Sequence, residues 1–365
     1  MHQARLRKAR QQMQKRSLDA FLSMHMPNVF YLSGFSGSSG ALILTLEKCV
    51  LLVDPRYSIQ AREECKDAEV RDFRGVSSVK AVSDVINELR PRRVGIEADH
   101  VSLSIYRNLR RSVDSSIGLS SVSGLIENLR SVKDEHEVAQ IRAAAKIADD
   151  AFAAVIADIK PGITEKEAAL LVDWHLRKLG ADREAFDTIA AAGTNSSCPH
   201  AKPTDAKLKT GQLLKLDFGA RVGGYNCDIT RTVVIGEPDS KQLEIYQIVL
   251  EAQLKAIEAI APGKSGREID SIARDYIAAR GYGDNFGHGL GHQLGIEVHD
   301  GPALSTTSEL ILEPGNVVTV EPGIYIEGWG GIRIEDDVLV TERGAEVLTH
   351  SPKKDLINVL RAHSE

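Results

Sequence analysis

Residues 213–235 read LLKLDFGARVGGYNCDITRTVVI, two apolar runs joined by Gly223-Gly224. Paired glycines between runs of strand-forming residues are a strong signal for a two-residue hairpin turn. If these glycines form the turn, Asp217 lies opposite Thr230 in the neighbouring strand. Side chains alternate between the two faces of a strand, so Asp228 shares the face of Asp217. The stretch therefore predicts a hairpin with two carboxylates on one surface.

A second stretch further along the chain repeats this arrangement. Val317–Glu321 and Ile332–Val338 flank a turn of sequence GWGG and bring Glu321 and Glu335 into apolar strands. Pro322 interrupts the ladder and leaves its register open. Four carboxylates that converge on an apolar sheet cannot all stay ionised without compensating cations, because an unpaired buried charge is costly. Metal ions are the compensation that we expect.

An internal repeat surrounds the two hairpins. Pro161–Glu167 recurs as Pro262–Glu268, and each copy continues with helical periodicity up to a glycine, Gly180 or Gly281. Both copies contain the Ser/Thr-x-x-Glu spacing of a capping box, which favours a helix start. We therefore predict two α/β halves related by a pseudo-twofold axis. The positions that match after each helix are Leu208, Gly211, Asp217 and Gly219 in the first copy and Leu312, Gly315, Glu321 and Gly323 in the second.

The run Phe286–His299 is rich in glycine and histidine. Neutral imidazole nitrogen is a common ligand of transition metals, and glycines let the backbone approach a site closely. The run therefore predicts one metal ligand and two imidazoles that support the site or contact substrate. Its glycine spacing also resembles a nucleotide-binding loop, but no strand precedes it. His200, after Cys198-Pro199, is equally compatible with a surface loop.

The chain length indicates two domains, since 365 residues exceed what one hydrophobic core usually organises. Between residues 19 and 124, short apolar runs alternate with helical stretches such as Val79–Leu89, which predicts an α/β unit. The Gly/Ser segment from Gly34 to Gly40 lacks the Gly-Lys-Ser/Thr ending of a phosphate loop, and we interpret it as a turn between strands. A junction at residues 120–134 leads into the second domain.

Charge and cysteine content bear on partners and location. The chain has 45 basic and 51 acidic residues, mixed along its length, and a net charge of -6, so it offers no basic face for nucleic acid. Its apolar runs fall short of the ~20 residues that span a membrane. Four cysteines without a C-x-x-C pair favour a reducing compartment, and we predict a cytoplasmic protein. The basic segment Met1–Arg16 fits a first surface helix or, alternatively, an organelle transit peptide.

These residues, in this order, resemble the pita-bread metallopeptidases over nearly the whole chain. The motifs most similar to aminopeptidase P and prolidase are His288, His292, His299 and the run Gly331–Asp336. The motifs that resemble the N-terminal domain of these enzymes and of creatinase are FYLSGF at residues 30–35 and DPRY at residues 54–57. The resemblance implies an α+β protein: a pita-bread catalytic domain with the pseudo-twofold repeat at residues 126–365, preceded by a smaller α/β creatinase-like domain at residues 1–125.

The resemblance also implies the roles of the site residues, for two divalent metal ions that we expect to be manganese, with cobalt or zinc as alternatives. The implied metal ligands are Asp217 on one ion, Asp228 and Glu335 bridging both, and His292 and Glu321 on the other. The implied substrate-binding residues are His200 on the proline side, His288 and His299, with Arg333 supporting the ligands. Glu321 is our candidate for moving a proton to the departing nitrogen, and His288 and His299 would contact the transition state.

The implied reaction is hydrolysis of the bond between an N-terminal residue and a following proline, by water that the two ions activate. We predict an Xaa-Pro aminopeptidase, because residues 34–40 and 54–57 look more like aminopeptidase P; the alternative is an Xaa-Pro dipeptidase, a prolidase. The expected partners are small peptides with proline second and, in a homodimer, another copy of the chain. Creatinase lacks the carboxylate set, and methionine aminopeptidase normally lacks such an N-terminal domain. A metal-free binding or chaperone-like relative, which would have lost the ligands, is the remaining alternative.

Overall fold

The computed structural model describes residues 2–361. The chain divides into two compact units at residues 130 and 131. The first unit contains the motifs that resemble a creatinase-like domain, and the second unit contains both hairpins. The predicted domain boundary after residue 125 stays a proposal.

The first unit is built around one mixed sheet. Its strands are β1 (Ala20–Ser23), β2 (Gly40–Thr45), β3 (Cys49–Val53), β4 (Glu69–Asp72), β5 (Arg93–Glu97) and β6 (Gly118–Val122). Its helices are α1 (His2–Lys15), α2 (Met26–Ser33), α3 (Ser58–Glu64), α4 (Ser78–Leu89) and α5 (Leu103–Ser112), and α6 (Glu127–Ser131) spans the unit boundary. The strand order is β4-β3-β2-β1-β5-β6, with β2 antiparallel to both of its neighbours and β5 parallel to β1 and β6.

The core of this unit lies between the sheet and the helices. Val82 and Ile86, one turn apart on α4, are fully buried and pack with strand residues such as Ile43 and Val94. The predicted α/β unit is therefore confirmed. The interpretation of Gly34–Gly40 as a turn between strands was wrong, because α2 lies between β1 and β2. The segment joins α2 to β2, and Gly34 ends α2 with a left-handed φ of 81°.

The second unit contains long helices around several small sheets. Its helices are α7 (Glu135–Asp158), α8 (Glu165–Lys178), α9 (Ser240–Ala259) and α10 (Gly266–Ala278). Its first strands are β7 (Arg183–Glu184), β8 (Ile189–Ala192), β9 (Leu213–Phe218), β10 (Ala220–Val222), β11 (Tyr225–Asn226) and β12 (Ile229–Val234). The later strands are β13 (Gly291–His292), β14 (Ala303–Leu304), β15 (Val317–Val320), β16 (Gly323–Ile326), β17 (Gly330–Arg333), β18 (Asp336–Thr341) and β19 (Gly344–Val347).

The internal repeat has matching contacts in both halves of this unit. Helix α7 packs against α8, and α9 packs against α10. The N–H of Gly162 donates to the carbonyl of Leu208 at 2.9 Å, and that of Gly263 donates to the carbonyl of Leu312 at 2.8 Å. Helices α8 and α10, which follow these glycines, each begin with the predicted capping box. The two halves thus form the pseudo-twofold arrangement of a pita-bread fold.

The first hairpin has the predicted register. Asp217 in β9 pairs with Thr230 in β12. Strands β10 and β11 continue the ladder to Gly223-Gly224, which form the turn. Both glycines have positive φ angles, 56° and 87°, as a two-residue type I′ turn requires. The turn residues therefore fix which side chains of the two strands face each other.

The second hairpin keeps one register on both sides of Pro322. The pairs that fix it are Val320 with Asp336 and Gly323 with Arg333. Its turn contains residues 327–329, whereas Gly330 and Gly331, which the sequence analysis placed in the turn, belong to β17. Their small size serves a close contact rather than the turn, because a Cβ on Gly331 would lie 2.3 Å from the carbonyl oxygen of Ser196.

Both ladders are interrupted next to acidic residues. A Cβ on Gly219 would lie 1.9 Å from the carbonyl oxygen of Cys227, so only glycine fits where the two chain segments approach this closely. Asp228 lies in that interruption, next to Cys227, and Glu321 and Glu335 lie in the interruption of the second hairpin. Carboxylates outside the regular ladder can turn towards neighbouring strands. The interruptions are therefore where the candidate site forms.

Two further findings concern membranes and cysteines. Among residues 2–361, no helix is both long and apolar enough to cross a membrane. All four cysteines are free thiols, and Cys198 is exposed while the other three are buried.

Candidate active site

The five predicted metal ligands of the second unit lie together. The Nε2 atom of His292 is 3.6 Å from Oδ2 of Asp228 and 3.5 Å from Oε1 of Glu321. One ligand atom each from Asp228, His292 and Glu335 lie within 4.8 Å of one another. Asp217 joins the group through Arg333, whose guanidinium forms ion pairs with both Asp217 and Glu321. Side chains from both hairpins and from β13 thus converge on one place.

Hydroxyl groups of the sheets hold two of the carboxylates, and a third ligand is held through its backbone. The hydroxyl of Thr230 donates to Glu335 at 2.5 Å, and the hydroxyl of Thr319 donates to Glu321 at 3.2 Å. The backbone N–H of Asp228 donates to Oδ2 of Asp337 at 3.0 Å. The threonine hydroxyls thus orient Glu335 and Glu321, and Asp337 fixes the backbone of Asp228, which is how supporting residues tune a metal site.

The His292 ring has one nitrogen free to act as a ligand. Its Nδ1 lies 3.1 Å from the carbonyl oxygen of Gln293, which can only accept a hydrogen bond, so Nδ1 carries the proton. Burial lowers the pKa of His292 to about 3, and the ring is therefore neutral at neutral pH. The lone pair of Nε2 then faces Asp228 and Glu321, as metal ligation by imidazole requires.

Arg333 connects the carboxylates to the neighbouring pocket. Its Nε donates to Thr230 at 3.0 Å, and its Nη1 donates to the hydroxyl of Tyr325 at 2.8 Å and to the carbonyl of Pro199 at 3.3 Å. Its Nη2 donates to Asp217. Because all three guanidinium nitrogens are engaged, Arg333 serves to position the site.

The remaining predicted residues line a cavity of about 240 Å³ beside the carboxylates. Its walls include His200, His288, His292, His299, Glu321 and Arg333. The structure thereby brings His200 onto the pocket wall, a placement that the sequence left open. The rings of His292 and His299 meet edge to face with centroids 4.1 Å apart.

His288 is held in one orientation. Its Nδ1 lies 2.8 Å from the carbonyl oxygen of Gly289, and its Nε2 lies 3.0 Å from the hydroxyl of Tyr325. That hydroxyl accepts from Arg333, so its own proton can be donated to Nε2. Burial lowers the pKa of His288 to about 4, which keeps the ring neutral.

The residues fit a site for divalent cations. Burial raises the pKa of the Asp228 and Glu335 carboxyls well above their usual values, and the neighbouring carboxylates raise both further. Burial also raises the pKa of Glu321 to about 7. In addition, Oδ1 of Asp228 is buried and has no hydrogen-bond partner among residues 2–361. A bound cation would supply that partner and offset the mutual repulsion of the carboxylates.

Metal binding should therefore release protons. At pH 6, Glu321 with its pKa of about 7 is mostly protonated in the metal-free protein, whereas a ligand carboxylate must be ionised. We expect release of about one proton or more per chain and a metal affinity that falls as pH drops below 7. Isothermal titration of Mn²⁺ at pH 6 in buffers with different ionisation enthalpies measures this release. Binding heats that are identical in every buffer would contradict the expected proton release. The Glu321→Gln variant should release fewer protons than wild type.

Three residues of the site were not predicted from the sequence. Tyr325 joins Arg333 to His288, Thr319 holds Glu321, and Asp337 holds the backbone of Asp228. Asp337 stood in the acidic run after Glu335, so its position offered a signal. Tyr325 and Thr319 offered none, because their contacts depend on how the two hairpins pack.

Comparisons with known proteins agree with this geometry. The sequence model of metallopeptidase family M24 matches residues 139–342, and that of the creatinase/prolidase N-terminal domain matches residues 5–132. The chain is 40% identical to an Xaa-Pro dipeptidase of Pyrococcus horikoshii over 342 residues, which are 94% of this chain and 95% of that one. These matches extend through both units.

Two solved structures have the same fold. One, an Xaa-Pro dipeptidase from Bacillus anthracis, is 39% identical with a TM-score of 0.94 and covers 98% of this chain and 100% of its own. The other, an X-Pro aminopeptidase from Thermotoga maritima, is 39% identical with a TM-score of 0.89 and covers 95% and 99%.

The fold and the site define a pita-bread metallo-exopeptidase with an N-terminal creatinase-like domain. The chain belongs to metallopeptidase family M24. The predicted fold class and the resemblance to the Xaa-Pro peptidase group are thereby confirmed, and family membership implies divalent metal ions without identifying the metal.

Proposed function

We propose that this protein is an Xaa-Pro dipeptidase that hydrolyses dipeptides with proline in the second position, using two divalent metal ions. The observation that carries the proposal is the convergence of the predicted ligands beside a histidine-lined pocket. The proposed ligands are Asp217, Asp228, His292, Glu321 and Glu335. Since all five are present and converge, a metal-free binding relative has no supporting observation here.

The names of the relatives favour a dipeptidase over the aminopeptidase that the sequence analysis placed first. The compared proteins of Pyrococcus horikoshii and Bacillus anthracis are named Xaa-Pro dipeptidases. The Thermotoga maritima protein is named an X-Pro aminopeptidase, so the same fold accompanies both activities. The proposed activity is therefore that of a dipeptidase, and the predicted aminopeptidase becomes the alternative.

The size of the pocket supports a small substrate. Its volume of about 240 Å³ lies below the roughly 300–1,000 Å³ of pockets for drug-sized ligands. Among the described lining residues, only Arg333 carries a permanent positive charge, and its nitrogens are engaged within the protein. The free carboxylate of a dipeptide would accordingly meet the imidazoles of His200 and His299, since both nitrogens of His288 are engaged within the protein.

The protein groups have complementary tasks in the proposed reaction. The bound ions would lower the pKa of a water molecule and polarise the scissile carbonyl. Glu321 can take up a proton that the attacking water releases and pass it to the proline nitrogen as that nitrogen leaves. The neutral ring of His299 can donate a hydrogen bond to oxygen as negative charge develops there, whereas both nitrogens of His288 are engaged by Gly289 and Tyr325, so its ring supports the pocket wall. Their rigid placement is the protein's contribution to orientation.

Substrate length distinguishes the two candidate activities. With metal-reconstituted protein, we expect kcat/KM for Ala-Pro to exceed that for Ala-Pro-Ala by about tenfold or more, because the added residue must be accommodated beyond the proline. Ala-Ala, which has the same length, controls for the proline requirement and should be cleaved more slowly. Faster cleavage of the tripeptide would restore the aminopeptidase assignment. Metal-dependent cleavage of neither proline peptide would overturn the proposal.

We also propose manganese as the native metal, a homodimer and a cytoplasmic location, all on the basis of the resemblance. A site of carboxylates with one imidazole also suits cobalt or zinc. Metal analysis of protein purified without chelators and sedimentation of the purified chain test the first two proposals.

A further inference from the structure

The segment that carries His200 is held from inside the second unit. After β8, a short 3-10 turn spans Gly193–Ser197, and Pro199 and His200 then form part of the pocket wall. This segment has no strand partner of its own at His200. Side chains that bind its backbone therefore help to fix its position.

Lys215 supplies three of these contacts. It lies on β9, two residues before Asp217, and is fully buried. Its amino group donates to the carbonyls of Cys198 at 2.7 Å, Pro199 at 3.0 Å and Ser196 at 3.3 Å. An ammonium group has three N–H donors, so these three carbonyls use all of them. A buried lysine is thus committed to the backbone immediately before His200.

The same segment is anchored at both ends by Glu165. This buried carboxylate accepts from the backbone of Ala192 at 2.6 Å and from the backbone and hydroxyl of Thr204 at 2.8 and 2.6 Å. It also accepts from the side chain of Asn195 at 2.9 Å. The two stems are therefore fixed by a carboxylate, whereas the part next to His200 is held by Lys215 and, at Pro199, also by Arg333.

The Lys215 contacts connect the pocket wall to the proposed metal ligands. The carbonyl of Pro199 accepts from both Lys215 and Arg333, and Arg333 also binds Asp217. Lys215 and Asp217 project from the same face of β9, since they are two residues apart. One face of β9 thus carries both the lysine that binds the pocket wall and a proposed metal ligand, Asp217.

We propose that Lys215 is a positioning residue that sets the distance of His200 from the metal centre and thereby determines substrate affinity. The kinetic consequence of this proposal, a change in KM, rests on the proposed function. Its structural consequence, a looser segment around His200, does not. Lys215 acts through the backbone of Ser196, Cys198 and Pro199 and is not among the residues that line the pocket. Loss of its three donors would loosen the segment around His200, which would keep the bond from Arg333 to Pro199, while Glu165 still holds the stems.

The kinetic test is Lys215→Met, which removes the donors and retains a long side chain. We expect KM for Ala-Pro to rise by about tenfold with kcat changed by less than about threefold, and metal stoichiometry to stay the same. In a His200→Ala background, Lys215→Met should have little further effect on kcat/KM, because both substitutions remove the same interaction between His200 and substrate. Lys209→Met, at an exposed position, is the matched control and should behave as wild type. Additive losses, or loss of bound metal, would overturn the proposal.

A second measurement needs no substrate. Cys198 is the exposed thiol, and the other three cysteines are buried, so a nitroxide label reports on this segment. We expect the label to be more mobile in Lys215→Met than in wild type and Lys209→Met. If Lys215→Met does not fold, Lys215→Gln, which keeps a polar group but is too short for all three carbonyls, should show an intermediate increase. Unchanged mobility would refute the role of Lys215, whereas absent peptide hydrolysis with changed mobility would refute the proposed function alone.

Discussion

Asp228→Asn is expected to abolish metal-dependent hydrolysis, with a fall in kcat/KM of at least about 1,000-fold. Replacing a residue that only supports a metal ligand typically lowers metal affinity or activity by roughly 10- to 100-fold, and replacing a ligand proposed to bridge both ions should lower them further. The substitution keeps the shape of the side chain but removes its charge. It also leaves the backbone bond from Asp228 to Asp337 available.

Metal binding should fail in this variant without loss of the fold. Wild-type protein should gain thermal stability on addition of Mn²⁺, because the ion binds the native state, and Asp228→Asn should lose most of that gain. Calorimetry with and without metal measures this difference. Asp205→Asn is a matched control, since Asp205 forms a surface ion pair with Lys166. Two ions bound to Asp228→Asn with wild-type affinity would contradict the proposed ligand set.

Asp336→Asn is expected to destabilise the second unit by about 3–5 kcal/mol, because it leaves buried cations without their partner. Asp336 is fully buried between the guanidinium of Arg231 at 2.7 Å and the amino group of Lys353. It also accepts from Thr349 at 2.8 Å and from Gln253 at 2.8 Å. An asparagine would turn an NH₂ group towards some of these donors.

The pKa of Asp336 gives the direction of the pH dependence. Burial alone would raise this pKa, but Arg231 and Lys353 outweigh it and lower the value. A carboxyl with a lowered pKa in the folded state stabilises the protein above its unfolded pKa, and that contribution is lost as pH falls through the folded value. The deficit of Asp336→Asn should therefore be present in full at pH 7 and shrink in strong acid.

Urea unfolding followed by tryptophan fluorescence measures this change, because both tryptophans, Trp174 and Trp329, lie in the second unit. Asp150→Asn, which removes an exposed i,i+4 pair with Lys146, is the control and should cause only a small change. A loss below about 1 kcal/mol for Asp336→Asn would show that Arg231 and Lys353 find other partners.

Local signals allowed the register of the first hairpin to be predicted. Gly223-Gly224 indicate a two-residue turn, and such a turn leaves one pairing, in which Asp217 faces Thr230. Capping boxes marked the start of α8 and α10 in the same way, since their partners are three residues apart. The location of four carboxylates on two related hairpins followed from these local features.

Long-range contacts were beyond such prediction. The backbone of Asp228 binds a side chain 109 residues away, on Asp337, and Lys215 binds carbonyls of a segment without regular structure. The interruption at Gly219 depends on its close approach to Cys227, which no spacing reveals. The placement of His200 on the pocket wall likewise required the packed structure.

The most direct test of the account is hydrolysis of Ala-Pro by metal-stripped protein as Mn²⁺ is added. The account predicts no cleavage without metal and full activity as about two ions bind per chain, as expected for a two-metal site. Cleavage that persists without metal, or protein that binds two ions yet leaves Ala-Pro intact, would contradict it.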